Sequence, residues 1–284
     1  MSRGLSAHLV PRLAIALSLQ PIALSPHSMH PLLALILSLA IAAAGWASRA
    51  LTRPGAVAAT AVGTLILWRT GWPGMAALGA FFVGSSLISR VAPDRSVDEL
   101  DAKGSTRDTW QVLANGGAAA ASALLPILPE AVLWTVTASL AAAAADTWAT
   151  SFGGWSRTDP RHILRWQPVP PGTSGGVTLL GSAGALAGAA SVGAAVSLTA
   201  QRAVLFPLAL GVGMLGMLMD SVIGGVWQGQ FRCITCDRPT ERRVHRCGAL
   251  TTSASGFPWL TNDGVNALAT GVAALVGYGL WAMG

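Results

Sequence analysis

The chain has 284 residues, 52% of them hydrophobic and 11% charged, with a mean hydropathy of +0.54. Soluble domains carry about a quarter charged residues, so the balance excludes an ordinary soluble protein and calls for lipid surroundings. The net charge of +6 and pI near 10.5 do not indicate nucleic acid, because no RNA-binding motif or aromatic-interleaved basic patch is present and basic loops at a membrane account for the excess.

Residues 1–31 carry an apolar patch from Leu13 to Leu19, interrupted repeatedly by Pro11, Pro21, Pro26 and Pro31. They read as an interfacial or disordered arm, with a signal peptide as the weaker alternative because no clear small-residue cleavage site follows. Residues 32–284 read as one transmembrane domain. Apolar segments fall at about 32–49, 55–69, 72–89, 110–126, 130–149, 176–200, 203–223 and 264–282. Many are Ala/Gly-rich, as at Gly116-Gly117-Ala118-Ala119-Ala120-Ala121, and small residues let membrane helices approach closely. The expected fold is all-α: a polytopic transmembrane helical bundle of about eight spans. The 55–69 segment is short for a crossing and could re-enter.

Basic residues set the expected orientation, since short loops rich in Lys and Arg stay in the cytoplasm. All but Arg3, Arg12, Arg69 and Arg202 of the 18 Lys and Arg fall in the loops after the first, third, fifth and seventh segments. Those loops are expected in the cytoplasm of a cell (inner) membrane protein, with both termini outside. The 11 Trp lie mostly near segment ends, where aromatic side chains anchor the interface.

Three carboxylates fall at the cytoplasmic level: Asp146 closing the fifth segment, Asp220 near the end of the seventh, and Asp263 opening the eighth. Capping explains Asn262 or Asp263 well. It explains Asp146 and Asp220 badly, because a carboxylate near a helix C-terminus meets an unfavourable dipole; ionisable groups at span edges face the bundle interior or a watery cavity. At least one of the two is expected to coordinate a cation or pair with a buried base. Asn262 and Asn266 share a face beside Asp263. Arg107, Gln111 and Asn115 recur every four residues after Ser105 or Thr106 as N-cap; the stripe is either a lined cavity or a set of interhelical hydrogen bonds.

Gly172-Thr173-Ser174-Gly175-Gly176 is expected to run into the sixth segment. Glycines let backbone N–H groups approach an anion, and a helix N-terminus offers unpaired donors. No Lys follows the glycines as a P-loop requires, so the string is an anion site or simply a good turn. Arg157, Arg161, His162 and Arg165 share the loop; they suit an anion, topology or anionic lipid equally.

Asp146-Thr147-Trp148-Ala149-Thr150, Pro171 through Thr178, Asp220-Ser221 and Asn262-Asp263-Gly264-Val265-Asn266, in this order, resemble an integral membrane family that includes the plant phytyl-phosphate kinase of vitamin E salvage and its animal transmembrane relatives. Trp110 through Gly116 is similar to it as well, so the likeness spans about 85 to 282. The resemblance implies transfer of the terminal phosphate of a nucleoside triphosphate, CTP foremost, to an isoprenoid monophosphate. Phosphoryl transfer rests on positioning and charge neutralisation with magnesium. On this reading Asp146, Asp220 and Asp263 hold Mg2+, the 172–176 backbone holds a phosphate, and Lys103, Arg107 and Arg165 neutralise charge. Gln111, Asn115, Asn262 and Asn266 line the substrate. One departure is Ser151, where the family commonly has an acid.

Cys233, Cys236, His245 and Cys247 form C-x2-C-x8-H-x-C in an Arg-rich loop at about 228–258, a set that suits a structural Zn2+ or stays as reduced thiols. Two other functions remain open: a transporter, which would want its polar groups near midplane and repeats that the sequence lacks, and an inactive membrane scaffold, for which Ser151 is the argument. Oligomeric state is not encoded in any motif.

Overall fold

The computed structural model describes residues 28–93 and 106–284. Most of the expected arm over 1–31 therefore lies outside the described residues, as do Lys103 and Ser105. Seven helices are present among the described residues: α1 (Pro31–Ala47), α2 (Arg53–Val91), α3 (Thr109–Leu124), α4 (Pro129–Gly154), α5 (Leu179–Ala200), α6 (Leu205–Trp227) and α7 (Asn262–Met283). Two strand groups interrupt them. β1 (Arg161–His162) pairs antiparallel with β2 (Gly176–Val177), and β3 (Gln230–Cys233) lies between β4 (Pro239–Thr240) and β5 (Thr251–Ser255) in an antiparallel sheet.

The second and third apolar segments of the sequence fall within α2, which breaks at Gly71 (φ 58, ψ −136). Side chains rarely tolerate that region, so glycine is required there. The break reverses the chain. Leu67 packs in one cluster with Met75 and Leu78, which a straight helix would hold well over 10 Å apart at 1.5 Å per residue. Arg90 near the end of α2 donates to the Ser48 carbonyl, and Arg107 of the next segment both pairs with the Ala50–Thr52 backbone and donates to Ser86. Both ends of α2 thus lie at one end of the bundle. Its turn lies at the other, where buried Arg69 donates to the carbonyls of Ala123, Leu125 and Ile127.

The core surrounds α4, which packs against α2, α3, α5, α6 and α7. Its alanines make this possible. A Cβ on Gly188 of α5 would stand 2.6 Å from Ala144 O, and one on Gly277 of α7 2.6 Å from the Ala138 Cβ. Gly216 of α6 leaves equally little room over Ala142. Three helices therefore rest their glycines directly on the alanine surface of α4, the close approach that small residues permit. Deep enclosure also accounts for its Thr135, Thr137 and Ser139, which are buried in protein; Thr135 and Thr137 donate back to carbonyls four residues earlier.

Large apolar side chains point outward. On α1, Leu32, Ile36 and Leu39 are exposed while Ala34, Ser38, Ala42 and Gly45 are buried. Leucine outside and small residues inside is the arrangement of a helix bundle in lipid. Among the described residues four helices, α2, α5, α6 and α7, are long and apolar enough to cross a membrane by length and composition, and α1 is apolar but shorter.

Helix limits differ from the sequence reading in three places, each for a local reason. α4 does not close at Asp146 but continues for about two turns to Gly154, so Asp146 is an interior position. α3 is capped by Asp108 in a reciprocal capping box with Gln111, at 2.9 and 3.0 Å, while Thr106 instead bonds Arg49 O. Thr261, rather than Asn262 or Asp263, caps α7 by accepting from Gly264 N.

Candidate active site

The C-terminal ends of α4 and α6 and the start of α7 meet at one end of the bundle. There the carboxyl groups of Asp146 on α4 and Asp220 on α6 lie close enough to interact directly. Gly213 and Gly216, two turns and one turn before Asp220, are what let α6 come down onto Ala141 and Ala142 of α4. The pairing also explains an acid inside a helix, where the capping and dipole arguments no longer apply. One Asp220 oxygen, Oδ1, is buried without a hydrogen-bond partner, and so is Oδ1 of Asn266. Buried acceptors are rarely left so unless a ligand, ion or water completes them.

The start of α7 is fixed beside this pair. Leu260 and Val265 pack with Met219 and Ile223, the residues flanking Asp220 on α6. Asp263 is thereby half-buried at the same level, whereas Asn262 is exposed in the first turn. Thr270 of α7 donates to Ala114 O, which ties this helix to α3 one turn below Asn266.

The glycine string forms a turn leaning on α6. It does not open directly onto a helix: α5 begins at Leu179, capped by Thr178, which accepts from Gly181 N at 2.9 Å. Gly176 instead pairs with His162 in the β1–β2 ladder, and His162 Nε2 lies 3.3 Å from Gly225 O. Gly175 has φ +79, and a Cβ there would stand 2.6 Å from the Gly225 Cα, so only glycine lets the turn reach α6. The N–H groups of Thr173 and Gly176 are consumed within the turn. Those of Ser174 and Gly175 find no acceptor among the described residues, which leaves two adjacent donors for an anion.

A residue that sequence reasoning missed completes the group. Ser174 Oγ donates to Glu241 Oε1 at 2.6 Å, and Glu241 lies within electrostatic reach of Asp220. Glu241 follows β4 in the Cys/His loop, among arginines; nothing in its neighbours marks it, and only the fold of that loop onto the glycine turn brings it here.

Arg107, Gln111 and Asn115 stand apart from the carboxylates, on the α3 side. They give the polar lining of an otherwise apolar cavity of about 290 Å3 walled by α1, α2 and α3, including Val62, Leu78, Phe81 and Phe82. The Arg107 guanidinium lies 5.5 and 5.4 Å from the rings of Phe81 and Phe82. Burial pulls it down to about 10, still cationic at neutral pH. Gln111 is partly engaged in the α3 cap, and Asn115 Nδ2 donates to Gln111 O; these bonds lie within α3 and do not bridge helices, so for Gln111 and Asn115 the stripe is the lining of a cavity.

Arg165 is not gathered in either: its side chain is exposed and only its backbone N–H turns toward His162 Nδ1, at 3.4 Å. Lys103 lies outside the described residues. Ser151 faces α2, with its hydroxyl 3.2 Å from that of Ser89. An acid at that position would stand against α2.

The family described as integral membrane protein DUF92 matches residues 36–274. The chain belongs to this family. Among curated relatives, it is 28% identical to Protein PGR of Arabidopsis thaliana over 263 residues, covering 82% of this chain and 90% of the relative. It is 29% identical to the uncharacterized membrane protein MJ0933 of Methanocaldococcus jannaschii over 191 residues, covering 64% of this chain and 76% of that one. No solved structure matches at a significant level. The DUF92 match runs from α1 into α7, so it includes Asp146, the glycine turn, Asp220, Glu241, Asp263 and Asn266, and the resemblance read from the motifs between 85 and 282 holds at the level of the family.

Proposed function

We propose that this DUF92 protein is a membrane-embedded kinase that transfers the terminal phosphate of a nucleoside triphosphate, CTP foremost, to an isoprenoid monophosphate. The observation that carries the reading is the Asp146–Asp220 carboxyl pair set beside a glycine turn whose Ser174 and Gly175 N–H groups find no acceptor among the described residues. Two acids held together without an intervening base repel once ionised, and a divalent cation relieves that repulsion. The donors available, Asp146, Asp220, Asp263 and the Asn266 amide oxygen, are hard oxygens of the kind Mg2+ prefers. Mg2+ bound there would neutralise charge on the phosphates.

The chain's own residues supply the rest. An acceptor monophosphate is already anionic at neutral pH, so an oxygen of it attacks the terminal phosphorus without a general base. The bond from that phosphorus to the bridging oxygen breaks, and the nucleoside diphosphate leaves with the electron pair. The N–H groups of Ser174 and Gly175 would hold a phosphate oxygen, and the closed alanine and glycine packing around α4 limits water at the reacting atoms. The apolar cavity under Arg107 suits the isoprenoid tail, with Arg107 toward the anionic head. On this reading α2 crosses the membrane twice around Gly71, giving about eight spans, and the carboxylate end faces the cytoplasm.

The test is direct: protein purified in detergent and given CTP, Mg2+ and a panel of prenyl monophosphates should form the corresponding diphosphates. Absence of product with any nucleotide, alongside substrate flux in liposomes, would sink the kinase reading in favour of transport.

A further inference from the structure

We propose that Cys233, Cys236, His245 and Cys247 bind one Zn2+, and that this metal clips the α6–α7 loop so that Glu241 stays against Ser174 of the glycine turn. The four ligand atoms all lie within 4.8 Å of one another. Cys247 Sγ stands 3.6 Å from Cys233 Sγ and 3.4 Å from Cys236 Sγ, and His245 Nδ1 stands 3.0 Å from Cys247 Sγ and 3.8 Å from Cys236 Sγ. A disulfide would need about 2.05 Å, and all three cysteines are free. With Zn–S near 2.3 Å, the sulfur–sulfur edge of a tetrahedron is about 3.8 Å, close to the edges found here.

The backbone is shaped for the same purpose. Ligands come in two turns, Cys233 to Cys236 and His245 to Cys247. Each is followed by a residue in the left-handed region, Asp237 at φ 54 and Gly248 at φ 83. The first turn closes with Cys236 N donating to Cys233 Sγ at 3.4 Å and Asp237 N to Cys233 O at 3.0 Å; the second closes with Gly248 N donating to His245 O at 2.9 Å. Amides pointed at thiolate sulfur stabilise its charge. Cys233 and His245 are buried while Cys236 and Cys247 face outward, so the centre would sit at the surface of the sheet, with four protein ligands and no position left for substrate. That is the composition of a structural site rather than a catalytic one.

The consequence reaches the glycine turn because Glu241 lies between the two ligand turns, just after β4. This loop has little apolar core of its own: Phe231, Cys233, Thr240 and His245 are its buried residues between Gln230 and Ser255. Small units of this kind fold on metal. Besides the clip, the segment holding Glu241 is tied by the short β3–β4 pairing and by Thr251, which donates to the Arg242 and Arg243 carbonyls.

Whole protein in detergent should contain one zinc per chain by elemental analysis. Cys233→Ser with Cys247→Ser should lose it, whereas Glu241→Gln should retain it. Cobalt exchanged into the site should give the intense visible bands of tetrahedral cobalt with thiolate charge transfer. Hydrogen exchange at 172–176 should speed up when zinc is chelated and return when it is restored, with α4 and α6 unchanged; this needs no folded variant. Folded protein with negligible zinc that takes up neither zinc nor cobalt, or the double variant keeping full zinc, overturns the site. Unchanged exchange at 172–176 on chelation overturns the coupling. None of these readouts depends on turnover, so the proposal stands or falls separately from the kinase reading.

Discussion

The Ser174 hydroxyl donates to Glu241 at 2.6 Å across 67 residues of sequence. That bond joins the turn after β1 to the loop after α6, with Glu241 within electrostatic reach of Asp220. Its bond to the Ser174 hydroxyl fixes Glu241 to the glycine turn. Glu241 therefore acts on the geometry of the turn. Glu241→Gln should keep the turn in place, because an amide oxygen still accepts from Ser174, whereas Glu241→Ala should raise the nucleotide KM about tenfold, the equivalent of ~1.5 kcal/mol for one charge-assisted hydrogen bond. Steady-state kinetics with both variants check this; equal KM values would remove Glu241 from the site.

Asp146→Asn and Asp220→Asn should each reduce Mg2+-dependent turnover by about 100-fold or more, the usual scale for one preorganised charge at a reacting centre. Neither should lower the melting temperature in metal-free detergent, because each removes one member of a repelling pair. Turnover near wild type in either variant would dissolve the assignment of magnesium to this pair.

Parts of this site are legible in the sequence and parts are not. Asp146, Asp220 and Asp263 are marked by being acids in apolar helices, where desolvation makes any charge conspicuous. The glycine turn is marked by composition. What composition hides is its direction: the turn bends onto α6 through Gly175 and Gly225 rather than opening onto α5, because Thr178 takes the cap. Glu241 is hidden for a different reason. In a loop rich in charge an acid carries no signal, and only tertiary folding selects it. The reversal at Gly71 is legible as the break between two segments, with Arg69 on the side opposite the basic loops; its tightness is not, since one glycine in Thr70-Gly71-Trp72-Pro73 makes the whole turn.

Gly71→Ala should destabilise the bundle by about 1–3 kcal/mol, the cost of forcing a side chain into φ 58, ψ −136. Gly117→Ala, where an added Cβ meets nothing within 4 Å, is the matched control and should be neutral or stabilising. Thermal unfolding of both in one detergent distinguishes backbone strain from a general intolerance of added methyl groups.

Arg69→Met should cost about 3 kcal/mol or more without changing nucleotide KM. Its guanidinium is 1% exposed and satisfies three carbonyls at the end of α3; methionine fills much of the volume but leaves those acceptors buried and unpaired. Because the Gly71 turn lies at the opposite end from Asp146, a melting temperature that falls with kinetics intact is the expected pattern. A parallel loss of KM would show that the two ends are coupled through α2.

The cavity beneath Arg107 offers the sharpest separation of tail from head. Gly79 lines it, and a Cβ there meets nothing within 4 Å, so Gly79→Leu would extend into open space. A leucine would displace two or three methylenes of a long tail, about 2 kcal/mol at ~0.8 kcal/mol each, or about thirtyfold in KM. Short-chain acceptors, which need not reach so far, should be unaffected, and so should the nucleotide. A length-dependent loss places the tail between α1, α2 and α3. Equal losses for long and short acceptors would move it elsewhere and leave Arg107 as a residue that ties the start of α3 to α2 through Ser86, Phe81 and Phe82.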